Sequence, residues 1–192
     1  MARKIVVING HPDPAGTRFA AALADAYVRG ASEAGHMIRR IDVGALDFPM
    51  IHSKQDFEDS PPPAVIASAQ TAIAWADHVV IIFPLWLGGA PALLKAFLEQ
   101  VFRYGFALRK DGGGMGGLLK GRSARMIVTM GMPAPIFRWV FDAAGLRALE
   151  RGILWISGVS PIRHSILGGV EGKPARREAW LRTIGRLGAA AA

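Results

Sequence analysis

Residues 4–19 read KIVVINGHPDPAGTRF. The apolar run Ile5 to Ile8 stops at Asn9, residues 10–16 carry two glycines and two prolines, and apolar positions then recur at helical spacing from about Thr17 to Ala34, just ahead of Gly35. This reads as a strand, a turn-rich loop and a helix. The strand has no polar alternate positions, so both of its faces must be covered, as in a parallel sheet sandwiched between helices.

The same alternation continues down the chain. Met37 to Val43 reads as a second strand. The polar stretch 47–63 ends in Ser60-Pro61-Pro62-Pro63 and leads as a loop into a helix over about Ala64 to Ala76. His78 to Phe83 is a third strand, Pro91 to Phe102 a helix, and Arg125 to Met130 a fourth strand. Phe137 to Val159 reads as mostly helical, Ile162 to Leu167 as a fifth strand, and Pro174 to Leu187 as a closing helix. Buried strands separated by helices predict a doubly wound α/β domain. Five strands at this spacing suit the order 2-1-3-4-5 of a flavodoxin-like sheet, in which ligands sit beyond the carboxyl ends of the strands beside strand 1. The expected organisation is one domain over residues 1–188 and a frayed tail over 189–192, where only alanine remains.

Composition removes several classes of chemistry. At 192 residues and 51% hydrophobic, the chain suits one domain with a sizeable core. It has no cysteine, which excludes disulfides, thiol nucleophiles and cysteine-held zinc or iron–sulfur centres, and fits a cytoplasmic setting. No signal-peptide layout opens the chain, and no apolar stretch approaches the ~20 residues of a membrane span. The net charge of +8 favours anionic partners. The basic residues are scattered, however, and the densest set, Lys173, Arg176, Arg177, Arg182 and Arg186, has the spacing of a solvated helix face. No nucleic-acid partner is expected. His11, His36, His52, His78 and His164 lack ligand spacing, so no metal is expected. Asp13 sits between prolines, where a turn role is expected. Residues 112–117 (GGGMGG) formally match a dinucleotide fingerprint, but they precede a strand instead of following one, and read as a loop.

The fold rule places chemistry in the loops after strands 1, 3 and 4. In the first, a helix start near Thr17 offers free amides and a positive dipole end, to which the Thr17 hydroxyl and the Arg18 guanidinium add donors for an anion. A Thr17 cap with Arg18 in solvent explains the same residues equally well. In the second, Pro84 ends the strand, Gly88 and Gly89 bare the backbone, and Pro91 starts the next helix. Amides flanked by Trp86 and Leu87 suit a flat heteroaromatic with a hydrogen-bonding edge; an ordinary turn over core residues is the rival reading.

These loops carry a family resemblance. GHPDPAGTRF at 10–19, FPLWLGGAPALLKAFLEQVFRYGFA at 83–107 and VTMGMPA at 128–134 resemble the flavodoxin-fold NAD(P)H:quinone oxidoreductases of the DT-diaphorase-like type, including the ancillary quinone reductases of bacterial potassium-efflux systems. The middle pattern is the most specific, with Pro84, Pro91, Ala92, Leu94 and Lys95 in register and Gly105, Phe106 and Ala107 behind it. The resemblance implies a flavin whose phosphate is held by His11, Thr17, Arg18 and Phe19. Its ring edge would meet Pro84, Leu85, Trp86, Leu87 and Gly88, and its other side would meet Thr129, Met130, Gly131 and Met132.

The cofactor implied is FMN, with FAD as the alternative, and NAD(P)H is the co-substrate. The reaction implied is ping-pong hydride transfer to flavin N5, then two-electron reduction of a quinone or similar acceptor. Relatives with a Tyr/His pair after the fourth strand carry it in a Gly-rich loop, whereas this chain has GMPAPIFRW at 131–139, with neither residue. No catalytic side chain is therefore assigned, the flavin carrying the chemistry. The family also implies a homodimer. Phe137, Trp139 and Phe141 are candidates for a dimer surface or an apolar wall over the flavin. The alternative function is a flavodoxin-like electron carrier, or a regulatory flavoprotein subunit peripherally attached to a membrane transport system.

Overall fold

A computed structural model describes residues 1–109 and 117–192 of the chain. Five parallel strands, β1 (Lys4–Asn9), β2 (Met37–Asp42), β3 (His78–Pro84), β4 (Ser123–Met130) and β5 (Ile162–Gly168), form one sheet in the order β2-β1-β3-β4-β5. The expected order and the expected strands are all present. The helices are α1 (Phe19–Glu33), α2 (Lys54–Glu58), α3 (Ala64–Trp75), α4 (Ala92–Val101), α5 (Ala134–Trp139), α6 (Ala144–Leu149) and α7 (Pro174–Ala189), with a π-helical turn at Glu150–Trp155.

The period-two geometry of a strand splits each apolar run between two cores. Val6, Ile8, Ile81, Phe83, Met126 and Val128 face α3, α4, α5 and α6. Ile5, Val7, Val80, Ile82 and Ile127 face α1 and α7. On this second side the two helices approach closely through glycines: a Cβ on Gly30 would lie 2.0 Å from the Gly185 carbonyl oxygen, and one on Gly188 would lie 2.2 Å from that of Tyr27.

Several boundaries depart from the sequence reading. Helix α1 begins at Phe19, not at Thr17, and Arg18 takes the N-cap position without a side-chain cap bond. The expected long helix over 137–159 is broken once, where Asp142 and Ala143 turn left-handed (φ 52° and 47°) between α5 and α6, and α6 then runs on into the π-helical turn. Within the expected loop 47–63, Ser53 and Asp56 form a capping box that opens α2. Arg103, only 4% exposed, fastens this loop by donating to the carbonyls of Asp56, Phe57 and Ser60.

The tail expected to fray is docked: Ala191 is buried, its carbonyl accepts from Arg3, and Ala192 N–H donates to the Leu187 carbonyl. The five basic residues of α7 and its approach all point to solvent. Of the glycine run 112–117, all but Gly117 lies outside the described residues. A Cβ on Gly117 would overlap the backbone of Ser157, so this residue is a point of close packing.

Candidate active site

The loops after β1, β3 and β4 emerge side by side at the carboxyl end of the sheet. Gly10 N–H donates to the Ile82 carbonyl of β3 (2.8 Å), and Leu85 N–H, just past β3, donates to the Thr129 carbonyl of β4 (2.7 Å). Across the first two loops the His11 ring meets Trp86 edge-on, with ring centroids 6.0 Å apart at 82°.

A ladder of hydrogen bonds that starts outside the first loop gives it its shape. Arg40 on β2 donates through Nε (2.8 Å) and a terminal nitrogen (2.9 Å) to Asp42, and Asn9 Nδ2 donates to Asp42 Oδ1 (2.9 Å). Asn9 Oδ1 accepts from His11 N–H (3.3 Å), His11 Nδ1 accepts from Asp13 N–H (3.0 Å), and Asp13 Oδ1 accepts from Ala15 N–H (2.9 Å). Asp13 Oδ2 then pairs with Arg18 Nε at 2.5 Å. Asp13 thus has the turn role expected of it. The Ala15 N–H and then the Arg18 guanidinium hold its carboxyl below the usual range.

Burial would raise the Asp42 carboxyl, but Arg40 and Asn9 outweigh it and hold it low. Gly44, in the turn after β2, lets the loop settle: a Cβ there would come within 2.8 Å of the His11 and Pro12 carbonyl oxygens. Asn9, Asp42, Arg40 and Gly44 were not among the residues singled out from the sequence. The partners come from β2, some thirty residues away, and no local motif signals them.

The ladder fixes His11's chemistry. Burial, aided by Arg18 against the opposing pull of Asp13, lowers its pKa, so the ring is neutral at pH 7. With Nδ1 accepting from Asp13, the proton sits on Nε2, which is left as a donor. Next to it, α1 has no acidic residue in its first turn and no side-chain cap. The amides of Phe19 and Ala20 have no partner among the described residues. Thr17 and Arg18 are exposed, whereas Phe19 packs its ring against the core below α1. A half-buried imidazole donor, a hydroxyl, a guanidinium and bare helix amides are groups of the kind from which an anion accepts hydrogen bonds.

The second loop is a tight hairpin. Trp86 and Gly89 exchange both backbone bonds at 2.9 Å, and the two residues between them are left-handed, Leu87 at φ 47° and Gly88 at φ 81°. This is a type I′ turn, for which glycine is favoured and leucine is strained. Of the four amides assigned to a ring edge, those of Leu85 and Trp86 are spent on Thr129 and Gly89, while those of Leu87 and Gly88 have no partner among the described residues.

In the third loop Thr129 and Met130 are buried, Gly131 is exposed and Met132 is half-buried. The Met130 and Met132 carbonyls accept from Val170 and Gly169, which pins the loop to the segment after β5. Glu171, not singled out from sequence, lies over Gly131, its Oε1 3.1 Å from where a Cβ would be. Beyond Pro133, Phe137 points into the core, while Trp139, 82% exposed, Val140 and Phe141 face solvent.

The flavodoxin-like fold family matches residues 3–187. The chain belongs to that family. Among its relatives is an uncharacterized NAD(P)H oxidoreductase of Haemophilus influenzae, 25% identical over 169 residues that cover 86% of this chain and 83% of the relative. An FMN-dependent NADH:quinone oxidoreductase of Coprothermobacter proteolyticus is 25% identical over 138 residues, covering 69% of this chain and 65% of that one. The solved NAD(P)H:quinone oxidoreductase of Methanothermobacter marburgensis superposes with a TM-score of 0.82 at 26% identity, covering 98% of this chain and 96% of its own.

Proposed function

We propose that this flavodoxin-like protein is a flavin-dependent NAD(P)H:quinone oxidoreductase that uses FMN. The observation that carries the reading is the joining of three donor-bearing loops at one end of the sheet, by the Gly10–Ile82 and Leu85–Thr129 bonds and the His11–Trp86 contact. The names of the bacterial and archaeal relatives support the activity, and the dependence of one of them on FMN supports the mononucleotide.

The residues present fit such a cofactor. His11 Nε2, Thr17, Arg18 and the first amides of α1 would hold the phosphate, and the unspent amides of Leu87 and Gly88 are the donors available to a ring edge. Trp86 and Met132 offer apolar surface on either side. Bound flavin would supply hydride acceptance from a nicotinamide and two-electron delivery to a quinone. The chain's own contribution is to hold charge and offer apolar surface. Backbone donors that need no reorganisation lower the cost of negative charge at the ring edge, and the Trp86 ring offers apolar surface beside it.

The acceptor is a quinone or a related flat aromatic. The bare apolar surface of Ile136, Trp139, Val140 and Phe141 beside the third loop supports a homodimer in which a second copy covers it. No described helix is long and apolar enough to cross a membrane, and a cytoplasmic setting suits this chemistry. The carrier reading is not favoured, because the relatives are named as oxidoreductases.

Adding FMN to the purified protein should give a bound flavin spectrum, bleached anaerobically by NADPH and restored by a benzoquinone. The double variant Thr17→Ala/Arg18→Ala should bind FMN about tenfold or more weaker, through loss of charge-assisted donors. A protein that takes up neither FMN nor FAD, or a bound flavin that NADPH and NADH leave oxidised, overturns the proposal.

A further inference from the structure

At the opposite end of the sheet, where the strands begin, the chain gathers several arginines, with the Asp77 carboxylate beside them accepting from Lys4 N–H. Arg3 precedes β1, His78 opens β3, Ser123 opens β4 and Arg163 is the second residue of β5. Together with Pro161 and the turn after α7 they line a cavity of about 230 Å³. Arg3 donates to the Asp77 and Ala191 carbonyls and to Ser123 Oγ. Arg125, nearly buried on the same side of the sheet, donates to Ser165 Oγ (2.8 Å) and has a buried Nε with no partner. None of the ion pairs among the described residues involves Arg3, Arg125 or Arg163, whereas Arg18, Arg40, Arg147 and Arg182 at the surface all have carboxylates.

Within this cluster His78 is 3% exposed, and its Nε2 has no hydrogen-bond partner. Its Nδ1 lies 2.8 Å from Ser123 Oγ, which also accepts from Arg3 at 2.9 Å. In the tautomer that carries the imidazole proton on Nε2, the hydroxyl accepts from Arg3 and donates its own proton to Nδ1. A buried donor is thereby left over, an arrangement costly to maintain unless something accepts from it. Burial and the Arg3, Arg125 and Arg163 charges push the ring's pKa down to about 4, so His78 is neutral at pH 7. Two arginines without an ion pair, a buried imidazole nitrogen without a partner and a small void suit an oxyanion.

We propose that this cavity is an anion site, separate from the flavin loops, that takes a phosphate-sized oxyanion, free or as a phosphomonoester, through Arg3, Arg163 and His78. It is independent of the flavin reading: it shares no residue with the three loops and lies across the sheet from them.

The same protein carries a reporter at each end, so one titration separates the two sites. In protein labelled with ¹⁵N-histidine and saturated with FMN, inorganic phosphate added at constant ionic strength and pH 7 should shift the His78 imidazole resonances along a saturating curve. In Arg163→Gln, whose side chain is exposed and carries no packing, the dissociation constant should rise about tenfold, as expected for one charge-assisted contact. Phenyl phosphate in a parallel titration distinguishes the two sources: tighter binding than phosphate assigns the cavity to a phosphorylated small molecule, and weaker binding assigns it to the free ion. A His78 signal that moves no more with phosphate than with chloride, or that moves equally in Arg163→Gln, overturns the proposal. Movement of His11 alone does the same, since it places the anion in the first loop.

Discussion

Replacing Asn9 with Leu tests whether the ladder from β2 builds the first loop. The side chain is 4% exposed and nearly isosteric with leucine, so the change removes two hydrogen bonds, to Asp42 Oδ1 at 2.9 Å and from His11 N–H at 3.3 Å, without opening a cavity. Asp42 keeps both bonds from Arg40, so no buried charge is stranded. The half-buried His11 amide loses its acceptor. Two ordinary hydrogen bonds at about 1 kcal/mol each give a loss of about 2 kcal/mol, a fall in Tm of roughly 4–8 °C for a domain of this size. If the loop is held ready for an anion by this ladder, FMN affinity should fall too, by up to about thirtyfold for the same energy. Asn9→Asp sharpens the test, because it sets a second carboxylate against Asp42. Its destabilisation at pH 7 should exceed that of the leucine variant and shrink at pH 5, where one of the pair takes up a proton. Thermal melts of the apo protein at both pH values and FMN titrations of all three proteins provide the readings. Melting points within 1 °C of the parent for both variants would refute the claim that the ladder shapes the loop. A lowered Tm with unchanged FMN affinity would separate the loop's stability from flavin binding.

Three further outcomes follow from particular contacts. His78 has an ordinary value of 6.5 when unfolded and about 4 when folded, so between those values the unfolded chain binds the extra proton and stability is lost as pH falls from 6.5 towards 4. The loss amounts to at most about 3 kcal/mol, and His78→Gln should flatten melting temperature against pH across that window. Gly30→Ala drives a Cβ into the Gly185 backbone carbonyl, and because no flexible side chain can yield, α1 and α7 must separate at a cost of about 3 kcal/mol, read by urea unfolding. Leu87→Asn keeps the left-handed hairpin with a residue that tolerates it, so Tm should rise by roughly 2–4 °C; an unchanged or lower value would mean that the leucine is not strained there.

The central strands β1, β3 and β4 were legible because they are buried on both faces, so runs such as Ile5–Ile8 and Val79–Phe83 read as covered parallel strands. The break between α5 and α6 was not. Val140, Phe141, Asp142, Ala143 and Ala144 contain neither Gly nor Pro, yet two of them are left-handed. The reason is tertiary: Gly145 must lie against the β3–α4 hairpin, where a Cβ would be 2.0 Å from the Gly88 carbonyl oxygen, and an unbroken helix from Ala134 would not bring it there.

The first loop presented the sharpest ambiguity, since Thr17 as a cap and Thr17 as an anion ligand predict the same residues. The helix start weighs against the cap. Arg18, not Thr17, stands at the N-cap and makes no cap bond, and its guanidinium closes the loop onto Asp13. Thr17 is thus free of a capping duty, and the Phe19 and Ala20 amides are unmet among the described residues. A helix end left this way, next to a histidine whose proton is directed to Nε2 by Asp13, favours the anion reading. It also explains why the ladder reaches back to Arg40. On the proposed function, the donors for a phosphate would have to be held in place before it arrives, and a loop rich in Pro and Gly has no regular backbone bonding of its own to hold them.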